Sequence, residues 1–207
     1  MRALATVFAA LGLLASGDSL GDCFWSRIDH EVAFSDSGPW KTSTYRWVTN
    51  GLSALQIGGA LWEGSDSRIG RTMWQGIDSE VIAIASAEVG KRIFTRERPG
   101  PSGGDPCHWF AGKGNASFPS GEAAAAASLV TPYVLEYARE YPAAYALLAV
   151  PLYVGVGRLK NQAHWQTDVL AGWAIGGASG WYAHGRETPI FVSILPRSIT
   201  IGFKKSF

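Results

Sequence analysis

S-F-P-S-G-E, Ser117 to Glu122, runs straight into five alanines at residues 123–127. Pro-Ser-Gly ahead of a helix-forming tract reads as a helix start. The Ser120 hydroxyl and the close-approaching backbone N–H groups around Gly121 would make a phosphate cradle there. A plain N-cap uses the same residues, with Ser120 capping and Glu122 favoured in the first turn by the helix dipole. Yet a glutamate repels an anion, so the stretch takes its meaning from the two basic clusters that flank it.

The upstream cluster is K-R-I-F-T-R-E-R-P, with Lys91, Arg96 and Arg98 ahead of Pro99. Lys91 and Arg98 are seven residues apart, about two helical turns, which predicts a shared helix face. The downstream cluster is G-R-L-K-N-Q-A-H-W-Q-T-D, Gly157 to Asp168. His164 and Asp168 are spaced i, i+4. On a helix, Asp168 would accept a hydrogen bond from one ring nitrogen and leave the other free as nucleophile or base. Arg158 adds a fork suited to phosphate oxygens. His30, His108 and His184 have no comparable partner spacing, and no His/Cys/Asp cluster has metal-ligand spacing, so no metal is expected.

The chain has 207 residues, 47% hydrophobic and 17% charged. That suits one domain with a substantial core and argues against disorder. A net charge of +1 argues against a nucleic-acid partner. Nine tryptophans could fill a core or form amphipathic surface near lipid, and composition leaves both open. Residues 1–17 carry a positive Arg2, an apolar Ala3–Leu14 and a small-residue Ala15-Ser16-Gly17, the three regions of a secretory signal peptide. Export would let Cys23 and Cys107 pair, closing a long loop for about 4 kcal/mol in the chain-entropy model. Two buried thiols are the other reading.

Helical patterns are expected at about 45–62, 69–95 and 121–140, then from Pro142 toward Val156, and again from Ala163. In the second, Ile77, Val81, Ile84, Ala85, Glu88 and Val89 make a broad apolar face of helical period. Residues 98–118, rich in Gly and Pro, read as a long functional loop. No apolar run reaches 18 residues without charge, Pro or Gly; Ala143 to Gly157 comes closest. This argues against multi-pass membrane topology and for short buried helices in a bundle. Pro189–Leu195 and Ser198–Phe207 read as a C-terminal β-hairpin. The expected organisation is a signal peptide at 1–17, an all-α helical domain at 18–188 and a hairpin tail at 189–207.

Taken in order, K-x-x-x-x-x-x-R-P, P-S-G and R-x-x-x-x-x-H-x-x-x-D resemble the type 2 phosphatidic acid phosphatase superfamily, which includes non-specific acid phosphatases and vanadium haloperoxidases. The resemblance covers about residues 70–185. It implies a helical bundle whose metal-free, cofactor-free site transfers a phosphoryl group through a phosphohistidine. Carried over, Lys91, Arg98, Arg158, Ser120 and the Gly121 amide would hold phosphate oxygens, His164 would attack phosphorus and Asp168 would orient it. The family's third motif usually opens with Ser where this chain has Gly157. Where the family pattern is P-S-G-H, with a histidine that protonates the leaving oxygen, this chain has Glu122. A protonated Glu122 could do that work, and His108 is a second candidate acid. With the signal-peptide pattern and the lack of long apolar runs, the expectation is an exported, periplasmic phosphatase, soluble or in peripheral membrane contact, acting on a phosphorylated small molecule or lipid. A phosphate-binding envelope protein without turnover and a vanadate-dependent haloperoxidase are the other readings.

Overall fold

The computed structural model describes residues 23–100, 103–186, 190–195 and 198–203. The expected signal peptide lies outside them. Among the described residues, five α-helices carry the fold: α1 (Thr42–Glu63), α2 (Arg68–Phe94), α3 (Gly121–Tyr137), α4 (Ala149–Lys160) and α5 (Gln166–His184). The 3-10 segment Pro142–Leu148 leads directly into α4. The fold is all-α apart from an antiparallel hairpin of β1 (Ile190–Leu195) and β2 (Ser198–Phe203), in which Leu195 faces Ser198 and Ile190 faces Phe203. Pro189 and residues 204–207 of the expected hairpin lie outside the described residues.

The alanine tract makes α3 the central helix. α5 and α2 pack most closely on it, α1 packs on α2, and α4 lies along α3. Small side chains permit this. Ala83 and Ala87 of α2, Ala124 of α3 and Ile175 of α5 form one fully enclosed cluster. A Cβ at Gly172 would sit 2.5 Å from the Ser120 carbonyl oxygen, and one at Gly176 2.3 Å from that of Ala124. Glycine is therefore required where α5 crosses α3.

This packing reverses the natural reading of α2. Its buried face is Gly76, Ser79, Ala83, Ala87 and Gly90. The apolar face found by periodicity turns outward: Val81, Ile84 and Val89 are exposed. Periodicity locates a stripe but not the direction it faces, and here close helix approach selected the small residues for the inside.

Two local expectations are also corrected. α2 ends at Phe94 because Thr95 takes a left-handed conformation, φ 35°, and its N–H returns to the Lys91 carbonyl. Arg98 therefore lies beyond the helix and shares no helical face with Lys91. The last helix begins at Gln166, not near Ala163, so His164 precedes it.

The loop after α2 is held from beneath. Phe94, Trp109 and Phe118 pack edge to face, with Trp25 against Trp109. Cys23 and Cys107 are joined in a disulfide across 84 residues of chain. Next to it lies Arg96, whose side chain is 0% exposed. It donates to Asp29 and Asp168 at 2.6 Å each, to the Thr167 hydroxyl at 2.8 Å and to the Pro106 carbonyl. The Trp109 ring covers it at 4.3 Å. A buried guanidinium is tolerable because every direction holds an acceptor or a π-face.

Removing that charge strands two buried carboxylates. Arg96→Leu should destabilise the protein by about 3–5 kcal/mol in denaturant unfolding, with Arg96→Lys intermediate. A loss near zero would show that the clamp is not structural.

Candidate active site

His164 lies between α4 and α5 and is almost fully enclosed, with 2% of its side chain exposed. Its Nδ1 stands 2.7 Å from the Ser117 backbone carbonyl. A carbonyl only accepts, so Nδ1 carries the proton, and Nε2 keeps its lone pair. Asp168 does not make this contact, because its Oδ2 is 3.9 Å from Nδ1. The expected His164–Asp168 hydrogen bond is replaced by a relay. Asp168 accepts from the Ser117 hydroxyl at 2.5 Å, and the carbonyl of that same serine holds the imidazole. Asp168 also accepts the Trp165 N–H at 2.9 Å, which caps the start of α5. The physical reason is the helix boundary: with His164 ahead of α5, the i, i+4 spacing no longer stacks the two side chains.

The cations named from sequence converge on this histidine. Burial first, then Arg158, Arg98 and Lys91, push the His164 imidazole well below its ordinary value of 6.5, while the Ser117 carbonyl pulls the other way. Arg98 is itself pushed down, by burial and then by the nearby Arg158. Lys91 comes from the last turn of α2, and its Nζ lies 3.0 Å from where a Cβ on Gly121 would be. Ser120 is fully buried; its hydroxyl accepts the Ala123 N–H at 3.4 Å and its own N–H donates to the Asp168 carbonyl. Ser120 is thus an N-cap in this structure, beside the cations.

Arg158 is 8% exposed and donates from Nη1 to the Tyr45 hydroxyl at 2.6 Å. Its buried Nε has no partner. Such a donor is costly to leave unpaired, and in a ring of cations it suits an oxyanion. Tyr45 also explains Gly157, where a Cβ would lie 2.9 Å from the tyrosine ring. The aromatic ring occupies the space a serine side chain would need.

Glu122 neither pairs with Lys91 nor points away. Its carboxylate lies between two guanidiniums, 2.8 Å from Arg46 Nε and 2.8 Å from Arg158 Nη1. The Arg46 contact is an aligned hydrogen bond; the Arg158 contact is an ion pair that is not lined up as one. A cleft of about 460 Å³ opens here, lined by Arg46, Asn50, Glu88, Lys91, Gly121 and Glu122 among others. His108 is exposed and occupied by Glu97 at 2.7 Å.

Sequence reasoning missed Asp29, Tyr45, Arg46 and Ser117. The first three lie outside the motif-bearing region and carry no spacing signal. Ser117 stands in the sequence only as a flank of the motif, and it acts through both its hydroxyl and its backbone carbonyl.

A family model described as the PAP2 superfamily matches residues 78–188. No curated protein matches the sequence. Among solved structures, the crystal structure of Aquifex aeolicus LpxE is similar at 19% identity, over 73% of this chain and 98% of that one. Its TM-score of 0.39 makes this a likeness too distant to argue from. The matched segment contains Lys91, Arg98, Ser120, Arg158, His164 and Asp168 together, and it spans more than half of the sequence: the chain belongs to the PAP2 superfamily.

Proposed function

We propose that this protein is an exported, metal-independent phosphatase that works through a phosphohistidine on His164. Membership of the superfamily supports a phosphatase-type activity. The observation that carries the mechanism is the imidazole held at Nδ1, with Nε2 free beneath three cations. The substrate phosphate takes the unpartnered Arg158 donor, Lys91, Arg98 and the Gly121 amide. Nε2 attacks phosphorus, the P–O bond to the leaving group breaks, and water then releases phosphate from the histidine. Cations fixed in place stabilise the charge that develops, and holding the nucleophile removes orientation entropy from the barrier. Substrates are phosphomonoesters or pyrophosphates, lipid-linked ones included. Phosphate release from an aryl phosphate tests the reading directly.

Glu122 stands on the leaving-group side. An incoming phosphate competes with it for Arg158, and the released carboxyl, still held by Arg46, takes up a proton and passes it to the leaving oxygen. A second reading, a phosphate-binding protein without turnover, draws on the same contact, since the Glu122–Arg158 pair part-fills the cradle. Aryl phosphate left intact while inorganic phosphate binds would select it.

His164→Ala should abolish turnover with the fold retained, and acid-quenched wild type should hold an acid-labile phosphate. Full activity in the variant would end the phosphohistidine mechanism.

The pH dependence has a definite sign. A His164 pushed below its ordinary value stays neutral, and nucleophilic, at acidities where a free imidazole is protonated. The acid limb of kcat/KM for an aryl phosphate, which reports the free enzyme, should lie below pH 6.5. Arg158→Gln removes one depressing charge and should move that limb upward. A wild-type limb at or above 6.5 contradicts the assignment.

Glu122→Gln should slow turnover of alkyl phosphates by roughly 10²–10⁴-fold and spare an aryl phosphate with a good leaving group. Equal losses on both would make Glu122 only a counter-ion for Arg158.

A further inference from the structure

Exposed apolar residues run along the outward faces of α1, α2, α4 and α5. Scattered exposed apolar residues are ordinary on a folded protein; a continuous belt is not. Trp47 is 79% exposed, Leu55 72%, Leu61 70% and Trp62 89%, all on α1. Val81, Ile84 and Val89 continue the belt on α2, Leu152 and Val156 on α4, and Leu170 and Trp181 on α5.

Charge is arranged to match. Residues 47–62, 123–135, 141–157 and 169–183 hold no Asp, Glu, Lys or Arg. Within α2, Asp78 is buried and Glu80 accepts from Ser53 of α1, so neither breaks the belt; Glu88, 50% exposed beside Val89, pairs with Lys91 at the active-site edge. The charges of the helix ends gather in two layers. One is the candidate active site, with Arg46, Glu122 and Arg158 in contact. At the other, Arg68 binds Glu136 and Glu140, and His184 stands 3.7 Å from Glu136. At 1.5 Å per residue the uncharged segments span about 20–25 Å. That is somewhat short of the ~30 Å hydrocarbon core of a typical bilayer, a mismatch that thinning and snorkelling arginines accommodate. Trp47 and Trp62 lie near the two edges of the belt, where indoles favour the lipid–water boundary. The sequence alone argued against several spans, and among the described residues Pro142–Lys160 is the one stretch apolar enough by length and composition to cross a membrane; the belt comes instead from which helix faces are left exposed.

The geometry points to a lipid bilayer as the occupant of this belt: the bundle is embedded, and the candidate active site opens at one headgroup layer. A second copy of the chain could cover one side of the belt, but the exposed apolar residues run around α1, α2, α4 and α5 alike. The interior agrees, being built from Ala, Gly and Ser, the residues that let helices associate when burying large side chains gains nothing over lipid. The exposed Lys41, Arg46 and Arg92 of the active-site layer suit headgroup phosphates. This inference does not depend on the phosphohistidine reading.

Spin labelling tests it on the full chain in phosphatidylcholine–phosphatidylglycerol vesicles. Cys23 and Cys107 are paired, so Leu55→Cys, Ile84→Cys and, as a water-facing control, Lys113→Cys each offer one thiol. Leu55 and Ile84 labels should collide several-fold more often with oxygen than with an aqueous nickel chelate, and the Lys113 label the reverse. A label at Leu55 or Ile84 that meets the chelate freely would overturn the proposal. So would labels shielded from both reagents, which would mean that protein covers the belt. An N-terminal anchor alone would hold the chain to vesicles and leave both helix sites in water, which also counts against embedding.

Discussion

A single buried guanidinium ties this molecule together. Arg96 is reached from Asp29 near the N-terminal disulfide, from Pro106 in the loop, and from Thr167 and Asp168 at the head of α5. None of these segments adjoins another in sequence. Each brings an acceptor to the same cation, and each would bury an uncompensated polar group without it. The disulfide closes the same junction covalently from the other side. The geometry of His164 is thus set by a fully buried ion cluster.

From Arg96 the constraint passes through Asp168 to the Ser117 hydroxyl, and from the Ser117 carbonyl to Nδ1 of the histidine. A second chain of contacts runs from Arg46 to Glu122 to Arg158 to Tyr45. The two differ in character. The first is sealed and charge-matched, which suits holding an imidazole still. The second reaches solvent through Arg46 and includes an arginine with an idle donor, which suits a group that must give way to a ligand. Tyr45 and Arg46 come from α1, outside the segment that marks the superfamily, so the partners of Glu122 and Arg158 are furnished by a part of the chain that the motifs do not describe.

The bundle that carries both chains is packed on small residues. Ala83, Ala87 and Ala124, with the glycines of α5, let backbones approach until there is no room for a Cβ. Large apolar side chains are displaced to the outside as a consequence, and charges collect at the helix ends, where they meet one another. The ends of the helices therefore hold the polar chemistry, while their middles serve only packing and the surroundings.

The sequence by itself determined the helices and the polar breaks between them, and it named Lys91, Arg98, Arg158 and His164 as a set that the fold brings together, because these rest on local signals: periodicity, turn residues and the order of three motifs. It also marked Cys23 and Cys107 as a candidate pair, which the fold joins. It did not determine which way an apolar face points, since a 3.6-residue period has a direction only relative to neighbouring helices. It did not show that Thr95 would end α2 before Arg98, or that α5 would start after His164, and those two boundaries changed what Arg98 and Asp168 can touch. The partner of Glu122 was equally out of reach, because Arg46 stands 76 residues away on another helix. Long-range polar contacts follow from where buried groups must find partners, and only the tertiary structure decides that.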